Sequence, residues 1–273
     1  MKPLVPENSL EDLVKSPAAK RIGFILGLMA MAVGAAWGAT AYTWNLAGNG
    51  SWGTAANWSP NGVPGAVVGD SVIISTPYTV TINAAVSNPI VGLSLSSTAQ
   101  LDLNGQNLTV NGASSLASTN ATADITNGSA TSATLTFGGT VSLGAATTFL
   151  QGANGTLNVA FNGAVNGAFD LVLSATGSRV VAATASAAIG ATTPIANLSI
   201  SGASTLTMGS NDLHMTGNLT RANSASMSSL ASIFLEGTGT STLDITGSTF
   251  TNMVVAKTGG GQVSPSAALT LAG

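Results

Sequence analysis

The chain has 273 residues, only 6% of them charged, with a single histidine and no cysteine. An average soluble domain is about 25% charged, so this surface must draw its polarity mainly from uncharged side chains. The lack of cysteine excludes disulfides, thiolate metal sites and thiol catalysis. Four of the seven basic residues lie in the first 21 positions, and so few scattered cations exclude a nucleic-acid partner.

Residues 1–41 show the features of a secretory signal peptide. The basic pair Lys20-Arg21 precedes an uncharged apolar run over residues 22–36, and the small-residue site Ala39-Thr40-Ala41 follows. This order predicts cleavage between Ala41 and Tyr42, with export of the remainder to the exterior or to a bacterial cell surface. The alternative is an uncleaved membrane anchor, because the apolar run approaches the length of about 20 residues that spans a bilayer.

Residues 42–88 are predicted to form an N-terminal cap together with the first strands. They contain every tryptophan outside the signal segment, namely Trp44, Trp52 and Trp58. Large rings with one polar N–H can close the open end of a stack of strands, where the core and the strand edges would otherwise face water. The alternative is that the three indole faces stack on sugar rings.

A glycine motif in this region resembles a dinucleotide-binding fingerprint. Residues 48–53 match G-x-G-x-x-G, and Asp70 follows near the distance expected for a ribose-binding acid. Pro60 and Gly62 leave no room for the helix whose N-terminus would hold the pyrophosphate. We therefore interpret the motif as a glycine-rich turn between two short strands, and we expect no cofactor.

Residues 89–273 are predicted to form stacked repeats. Residues 89–95 recur as residues 194–200, an offset of 105, and short apolar–polar alternations replace any helical periodicity. The inward positions advance by eight and then seven residues in both copies. Three such strands per turn give a rung of about 20 to 25 residues, within the range of stacked repeat architectures.

The fold expected from these repeats is an all-β parallel β-helix, with right-handed coiling. One rung cannot bury its own apolar side, but stacked rungs share a continuous core. Because neighbouring side chains of a strand leave by opposite faces, the register predicts which residues point inward and which point outward. The inward set is Leu93, Leu101, Leu108, Leu198, Leu206 and Leu213; the outward set is Ser94, Asp102, Thr109, Ser199, Thr207 and His214.

Two segments resemble the β-helical stalks of bacterial surface proteins. The pattern of leucines, threonines and asparagines over residues 197–220 is similar to the repeats of autotransporter passengers and haemagglutinin-like adhesins, and residues 44–74 are similar to the segment that opens such stalks. The resemblance implies a secreted or surface-displayed stalk, structural or adhesive and non-catalytic, associated with the outer membrane. Its partners would be surface glycans or other cell-surface or matrix proteins.

The resemblance also implies that the chain is a fragment. An autotransporter would continue into a membrane-anchoring region, whereas this sequence stops at Gly273 in what looks like an unfinished rung. We therefore expect contact with a membrane only through the signal segment or through a C-terminal anchor beyond this sequence.

The alternative function is a carbohydrate-active or carbohydrate-binding protein on the same fold, such as a polysaccharide lyase or a glycoside hydrolase. Glycoside hydrolysis needs two carboxylates about 5 to 10 Å apart, and acids one rung apart would stack at about 4.8 Å. Two pairs of acids are separated by about one rung length in the sequence: Asp102 with Asp124, and Asp212 with Glu236.

The remaining groups that this chemistry would need are scattered along the sequence. A lyase would also need a base beside the acids, but Arg179, Arg221 and Lys257 are isolated from one another. His214 is the only histidine available to a Ser-His-acid triad, and it is expected to point outward from a strand. No catalytic residue, metal ligand or cofactor-binding residue is therefore assigned.

The signal-peptide interpretation predicts the start of the mature protein. N-terminal sequencing of exported protein should begin at or near Tyr42, because the small-x-small site ends at Ala41. A sequence that starts before Ile22 would contradict cleavage and would favour a membrane anchor.

Overall fold

The computed structural model describes residues 38–176, 178–222, 224–245 and 250–265. The signal segment lies outside these residues except for its last positions, so its prediction is not tested. The described chain forms an all-β parallel β-solenoid of about eight turns, which confirms the predicted fold class. The helix described is a single 3-10 turn, Ala55–Asn57. Among the described residues no helix is long and apolar enough to cross a bilayer.

The solenoid is built from short strands, most of them two to six residues long. In chain order they are β1 (Ala41–Trp44), β2 (Gly50–Ser51), β3 (Trp58–Ser59), β4 (Ser71–Ile74), β5 (Thr79–Thr81), β6 (Gly92–Ser97), β7 (Gln100–Asp102), β8 (Leu108–Val110), β9 (Ser114–Ser118), β10 (Ile125–Asn127), β11 (Ala133–Phe137) and β12 (Val141–Leu143). The second half contains β13 (Thr147–Gln151), β14 (Thr156–Phe161), β15 (Val165–Asn166), β16 (Leu171–Ala175), β17 (Val180–Ala185), β18 (Leu198–Ile200), β19 (Thr205–Met215), β20 (Leu219–Arg221), β21 (Ser226–Gly237), β22 (Ser241–Leu243), β23 (Phe250–Lys257) and β24 (Val263–Pro265).

These strands form three sheets, which we name A, B and C. Sheet A has the order β3-β1-β4-β6-β9-β12-β15, sheet B the order β2-β5-β7-β10-β13-β16-β18-β20-β22-β24, and sheet C the order β8-β11-β14-β17-β19-β21-β23. Where all three sheets are formed, each turn of the chain adds one strand to each of them in succession. Every pairing is parallel except that of β3, which runs antiparallel to β1 at the N-terminal end.

The predicted register is confirmed. All six inward leucines are buried, with exposures of 0 to 2%. The six outward residues lie on the opposite face of the same strands, and each is partly exposed. Stacking continues through the aromatic core, where the rings of Phe137 and Phe161 from adjacent rungs lie parallel with their centroids 5.6 Å apart.

The 105-residue repeat correctly predicts which residues are buried, but equivalent residues of the two copies do not always lie in the same sheet. Leu101 lies in sheet B beside Ile125, whereas its sequence counterpart Leu206 lies in sheet C beside Ala183. The reason is that one turn takes about 24 residues, as from Leu101 to Ile125, so an offset of 105 residues is four turns and about a third. Leu198 and Leu206 therefore lie one sheet further round the solenoid than Leu93 and Leu101, whereas Leu108 and Leu213 both belong to strands of sheet C.

The length of a turn varies through its corners. At one corner, glycines allow the backbones of successive rungs to pack closely. Gly112, Gly139 and Gly163 stack at the corner between sheets C and A. A Cβ on any of them would lie 2.0 to 2.4 Å from backbone atoms of the preceding rung. A side chain at this corner would therefore separate the rungs.

The register predicts a sharp contrast between two neighbouring substitutions. Leu206→Asp should lower the free energy of unfolding by several kcal/mol, because it buries an unpaired charge at a fully buried position. Thr207→Asp, on the outward face of the same strand, should change it by less than about 0.5 kcal/mol. Thermal and denaturant unfolding would measure both, and equal shifts would contradict the register.

Candidate functional site

The three tryptophans form a buried cluster at the N-terminal end. Trp44, Trp52 and Trp58 are each 2% exposed, and the ring of Trp58 packs edge-on against both of the others, with centroids 4.9 and 5.2 Å apart. Each indole N–H donates to a backbone carbonyl, those of Gly48, Pro64 and Trp52 respectively. The three rings thus pack against one another in the N-terminal region of the solenoid with almost no exposed surface.

The glycine motif and Asp70 both belong to the framework of the N-terminal region. Residues 48–53 contain β2 and its flanking turns, and the helical element that follows them is a 3-10 turn of three residues. Asp70 is fully buried, and its carboxylate accepts the backbone N–H groups of Thr40, Gly65 and Val67. It therefore joins the start of β1 to the loop before β4, a role that sequence reasoning missed although an Asp directly before a strand often organises a turn.

The predicted cleavage position lies at the start of this same region. Ala41 and Tyr42 belong to β1 and pair with Ser71 and Val72 of β4. Nothing in the described residues tests whether the chain is cut there.

A shallow depression lies on sheet A. It has a volume of about 340 Å³ and is lined by Ser71, Val72, Ile73, Gly92, Leu93, Ser94, Ala113, Ser114, Ser115 and Ser142. Ser94, Ser115 and Ser142 face each other across β6, β9 and β12, and we call them the serine row. The small residues Gly92 and Ala113 make the surface concave beside this row.

The serine row repeats at the spacing of the strands. Neighbouring strands of a sheet lie about 4.8 Å apart, so the row presents one hydroxyl per rung at that interval. Each hydroxyl is one donor and an acceptor with two lone pairs. The lining of the depression contains no ionisable side chain. This surface can therefore form a line of neutral hydrogen bonds.

The two carboxylate pairs that the sequence left open are not stacked. Asp102 lies opposite Thr126, which places Asp124 opposite Gln100, two residues away along the strands. Leu213 lies opposite Ile233, so Asp212 is opposite Ser232 and Glu236 is four residues further, about 13 Å along the sheet. The pairs are offset along the strands because the local turns are 24 and 20 residues long, whereas the members of the pairs are separated by 22 and 24 residues.

Asp124 is a buried acid with one unpaired oxygen. Its exposure is 1%; Oδ2 accepts the N–H of Thr148, while Oδ1 has no hydrogen-bond partner. The nearby hydroxyl of Ser118 donates to the Ala99 carbonyl instead. Burial raises the pKa of the Asp124 carboxyl above its ordinary value, and the hydrogen bond from Thr148, together with smaller contributions from Ser118 and from the backbone of Asn120 and Asp124, opposes that shift only in part.

His214 points outward as predicted, but its ring is largely covered. It lies parallel to the ring of Phe234 on the next rung, with centroids 4.1 Å apart, and Nδ1 lies 2.8 Å from Oε1 of Glu236. Its side chain is 17% exposed. The sequence did not reveal this contact, because the 20-residue local turn that brings residues 234 and 236 beside His214 is shorter than the predicted repeat spacing.

The three basic residues of the solenoid are each held by nearby backbone or side-chain groups. Lys257 donates to the carbonyls of Thr216 and Glu236, and partial burial lowers the pKa of its ammonium group. Arg221 contacts the carboxylate and the carbonyl of Asp244, and Arg179 donates to the hydroxyl of Thr176. No cluster of three or more metal-ligating side chains occurs among the described residues.

Comparison with known proteins gives no family assignment. The chain matches no protein-family model, and it has no significant match among curated proteins or solved structures. Its function must therefore be inferred from its own geometry.

The environment of Asp124 predicts a pH-dependent effect of one substitution. Because its pKa is raised in the folded state, the fold retains the proton while the unfolded chain loses it, and stability falls as pH rises from about 4. Asp124→Asn removes this penalty and retains an oxygen to accept the Thr148 N–H. Melting temperatures should therefore be higher than wild type at neutral pH, with the difference shrinking in acid.

A matched control for this experiment is Asp212→Asn. Asp212 is only partly buried, and its side chain forms no hydrogen bond within the part of the chain that the structure describes. Its replacement removes a carboxylate that is neither fully buried nor hydrogen-bonded, so it should change the melting temperature much less than Asp124→Asn does. If Asp124→Asn destabilised the protein equally at every pH, the penalty assigned to its ionisation would be wrong.

Proposed function

We propose that this protein is an exported, non-catalytic rod that serves as a structural or adhesive stalk and contacts neutral glycans through the serine row. The observation that carries the proposal is the serine row itself, which lies in a concave surface without ionisable groups on a long repetitive fold. Matrix or cell-surface proteins are the other class of partner that the stalk resemblance implies.

The architecture suits a stalk because each rung is held by its neighbours. The core is one continuous cluster of buried residues that extends from Tyr42 in β1 to Ile245 after β22. Stacked repeats of this kind form stiff, elongated bodies whose outer surfaces are available for contact. The β-solenoid is compatible with the stalks of autotransporters and adhesins, and display at an outer membrane is part of the proposal.

The chemistry of the serine row favours a neutral carbohydrate. Sugar hydroxyls both donate and accept, and serine hydroxyls can reciprocate without the cost of burying a charge. Ile73 is 37% exposed at the edge of the depression and offers an apolar contact to the C–H faces of a sugar ring. An extended polysaccharide lying along the rod would meet one serine hydroxyl on each of three successive rungs.

The experiment measures binding to immobilised neutral polysaccharides by the wild type and by Ser94→Ala/Ser115→Ala. Each lost hydrogen bond is worth about 1 kcal/mol, so the double variant should bind about tenfold or more weakly. Thr136→Ala/Thr207→Ala, which removes two outward hydroxyls from sheet C, is the matched control and should bind like the wild type. Equal losses in both variants, or no binding by the wild type, would contradict the proposal.

A further inference from the structure

The chain contains eight Asn-Gly dipeptides, and its structure separates them into two groups. They begin at Asn49, Asn61, Asn104, Asn111, Asn127, Asn154, Asn162 and Asn166. In such a dipeptide the amide nitrogen of glycine can attack the side-chain carbonyl carbon of asparagine. The attack requires a glycine N–H that is free to lose its proton and a backbone that can turn that nitrogen toward Cγ.

In four of the dipeptides the glycine N–H donates a hydrogen bond. Gly62 donates to the Ala55 carbonyl, Gly105 to Oδ1 of Asn127, Gly128 to Oδ1 of Asp102, and Gly167 to the Thr193 carbonyl. Asn127 is in addition fully buried. Because the attacking nitrogen is engaged, these four sites are protected in the folded protein.

A fifth dipeptide is protected by its strand. Gly50 belongs to β2 and pairs with Val80 of β5, while Oδ1 of Asn49 accepts the N–H of Thr79 at 2.8 Å. Both reacting groups are therefore held in place, one by the sheet and the other by a hydrogen bond.

The remaining three dipeptides have exposed asparagines at corners of the solenoid. Gly112, Gly155 and Gly163 lie outside the strands, and within the described residues their N–H groups donate no hydrogen bond. Gly112 and Gly163 pack tightly against the preceding rung, because an added Cβ would lie 2.0 and 2.2 Å, respectively, from a backbone oxygen of that rung. At Gly155 the corresponding distance, to the Ala130 carbonyl oxygen, is 2.7 Å, so this glycine is the least tightly packed of the three.

We infer that Asn154 is a site of spontaneous deamidation in the folded protein. The Gly155 nitrogen loses its proton and bonds to Cγ of Asn154, and the side-chain amide nitrogen leaves as ammonia, which gives a five-membered succinimide. Water then opens the ring at one of its two carbonyls. The products are aspartate, or isoaspartate with an extra methylene in the backbone, and neither step needs an oxidant, a reductant or an enzyme.

The modification changes the corner between β13 and β14. Asn154 lies in the four-residue bend that joins sheet B to sheet C, away from the serine row on sheet A. Each event adds one negative charge to a chain whose formal net charge is −3. The inference does not depend on the proposed glycan contact.

The test incubates the folded full chain in neutral to mildly alkaline buffer and follows each Asn-Gly peptide by mass spectrometry, with isoaspartate detected separately. Asn154 should react fastest, and the five protected sites should react at least about tenfold more slowly. A factor of ten corresponds to a local opening free energy of about 1.4 kcal/mol at those sites. In denaturant all eight sites should react at similar rates, because only the fold distinguishes them.

Asn154→Gln supplies the matched variant. It keeps a side-chain amide at an exposed position, but closure to a six-membered ring is much slower, so the signal from this peptide should disappear while the other sites are unchanged. The inference is overturned if, in the folded protein, Asn127 or Asn166 reacts as fast as Asn154, or if Asn154 reacts no faster than the five protected sites.

Discussion

The whole structure depends on one constraint, the parallel stacking of short strands whose apolar side chains must all face the same interior. A three-strand rung has too little surface to bury its own leucines, and only contact with the rungs on either side removes them from water. A slip of one residue would reverse every side chain of a strand, so the alternation of leucine with serine or threonine holds each rung in register. The two ends show what the stacking requires. The tryptophan cluster and antiparallel β3 cover the first rung, while Val255 on β23, which pairs with the buried Leu235 and has no described strand of sheet C beyond it, is 51% exposed.

The corners satisfy the polar groups that the strands cannot. Asn127 donates to Oε1 of Gln151 on the next rung, and Gln151 in turn donates to the carbonyls of Ser129 and Ala153. Neutral amides can hydrogen-bond these buried groups without the desolvation cost of a buried charge. The buried carboxylate of Asp70 accepts three backbone N–H groups. The buried carboxyl of Asp124 has one oxygen without a hydrogen-bond partner, and its pKa is raised. The low charge content of the chain therefore reflects its architecture rather than its choice of partner.

Much of the fold could be predicted from the sequence, because alternation depends on strand geometry alone. Leu101 and Leu206 were both correctly predicted to be buried, yet they lie in different sheets, because turn length varies with each corner. The same variation separates Asp212 from Glu236 and brings His214 beside Phe234. Contacts between rungs depend on the sum of all intervening corner lengths, which local patterns do not determine. The roles of Asp70 and Asp124 were missed for a similar reason, since they depend on backbone groups whose positions only the closed turns define.

The division between inward and outward residues also explains where function and chemical change can occur. Inward positions are restricted by stacking, and the glycine corner at Gly112, Gly139 and Gly163 is restricted by backbone contact. Outward strand positions have only to remain compatible with a sheet, so they can accumulate hydroxyls such as those of the serine row without loss of stability. Exposed corners such as that of Asn154 are less restricted, because no strand includes them and the preceding rung packs less closely there than at Gly112 and Gly163. A binding surface on the strands and a reactive site at a corner are thus two consequences of the same stacking.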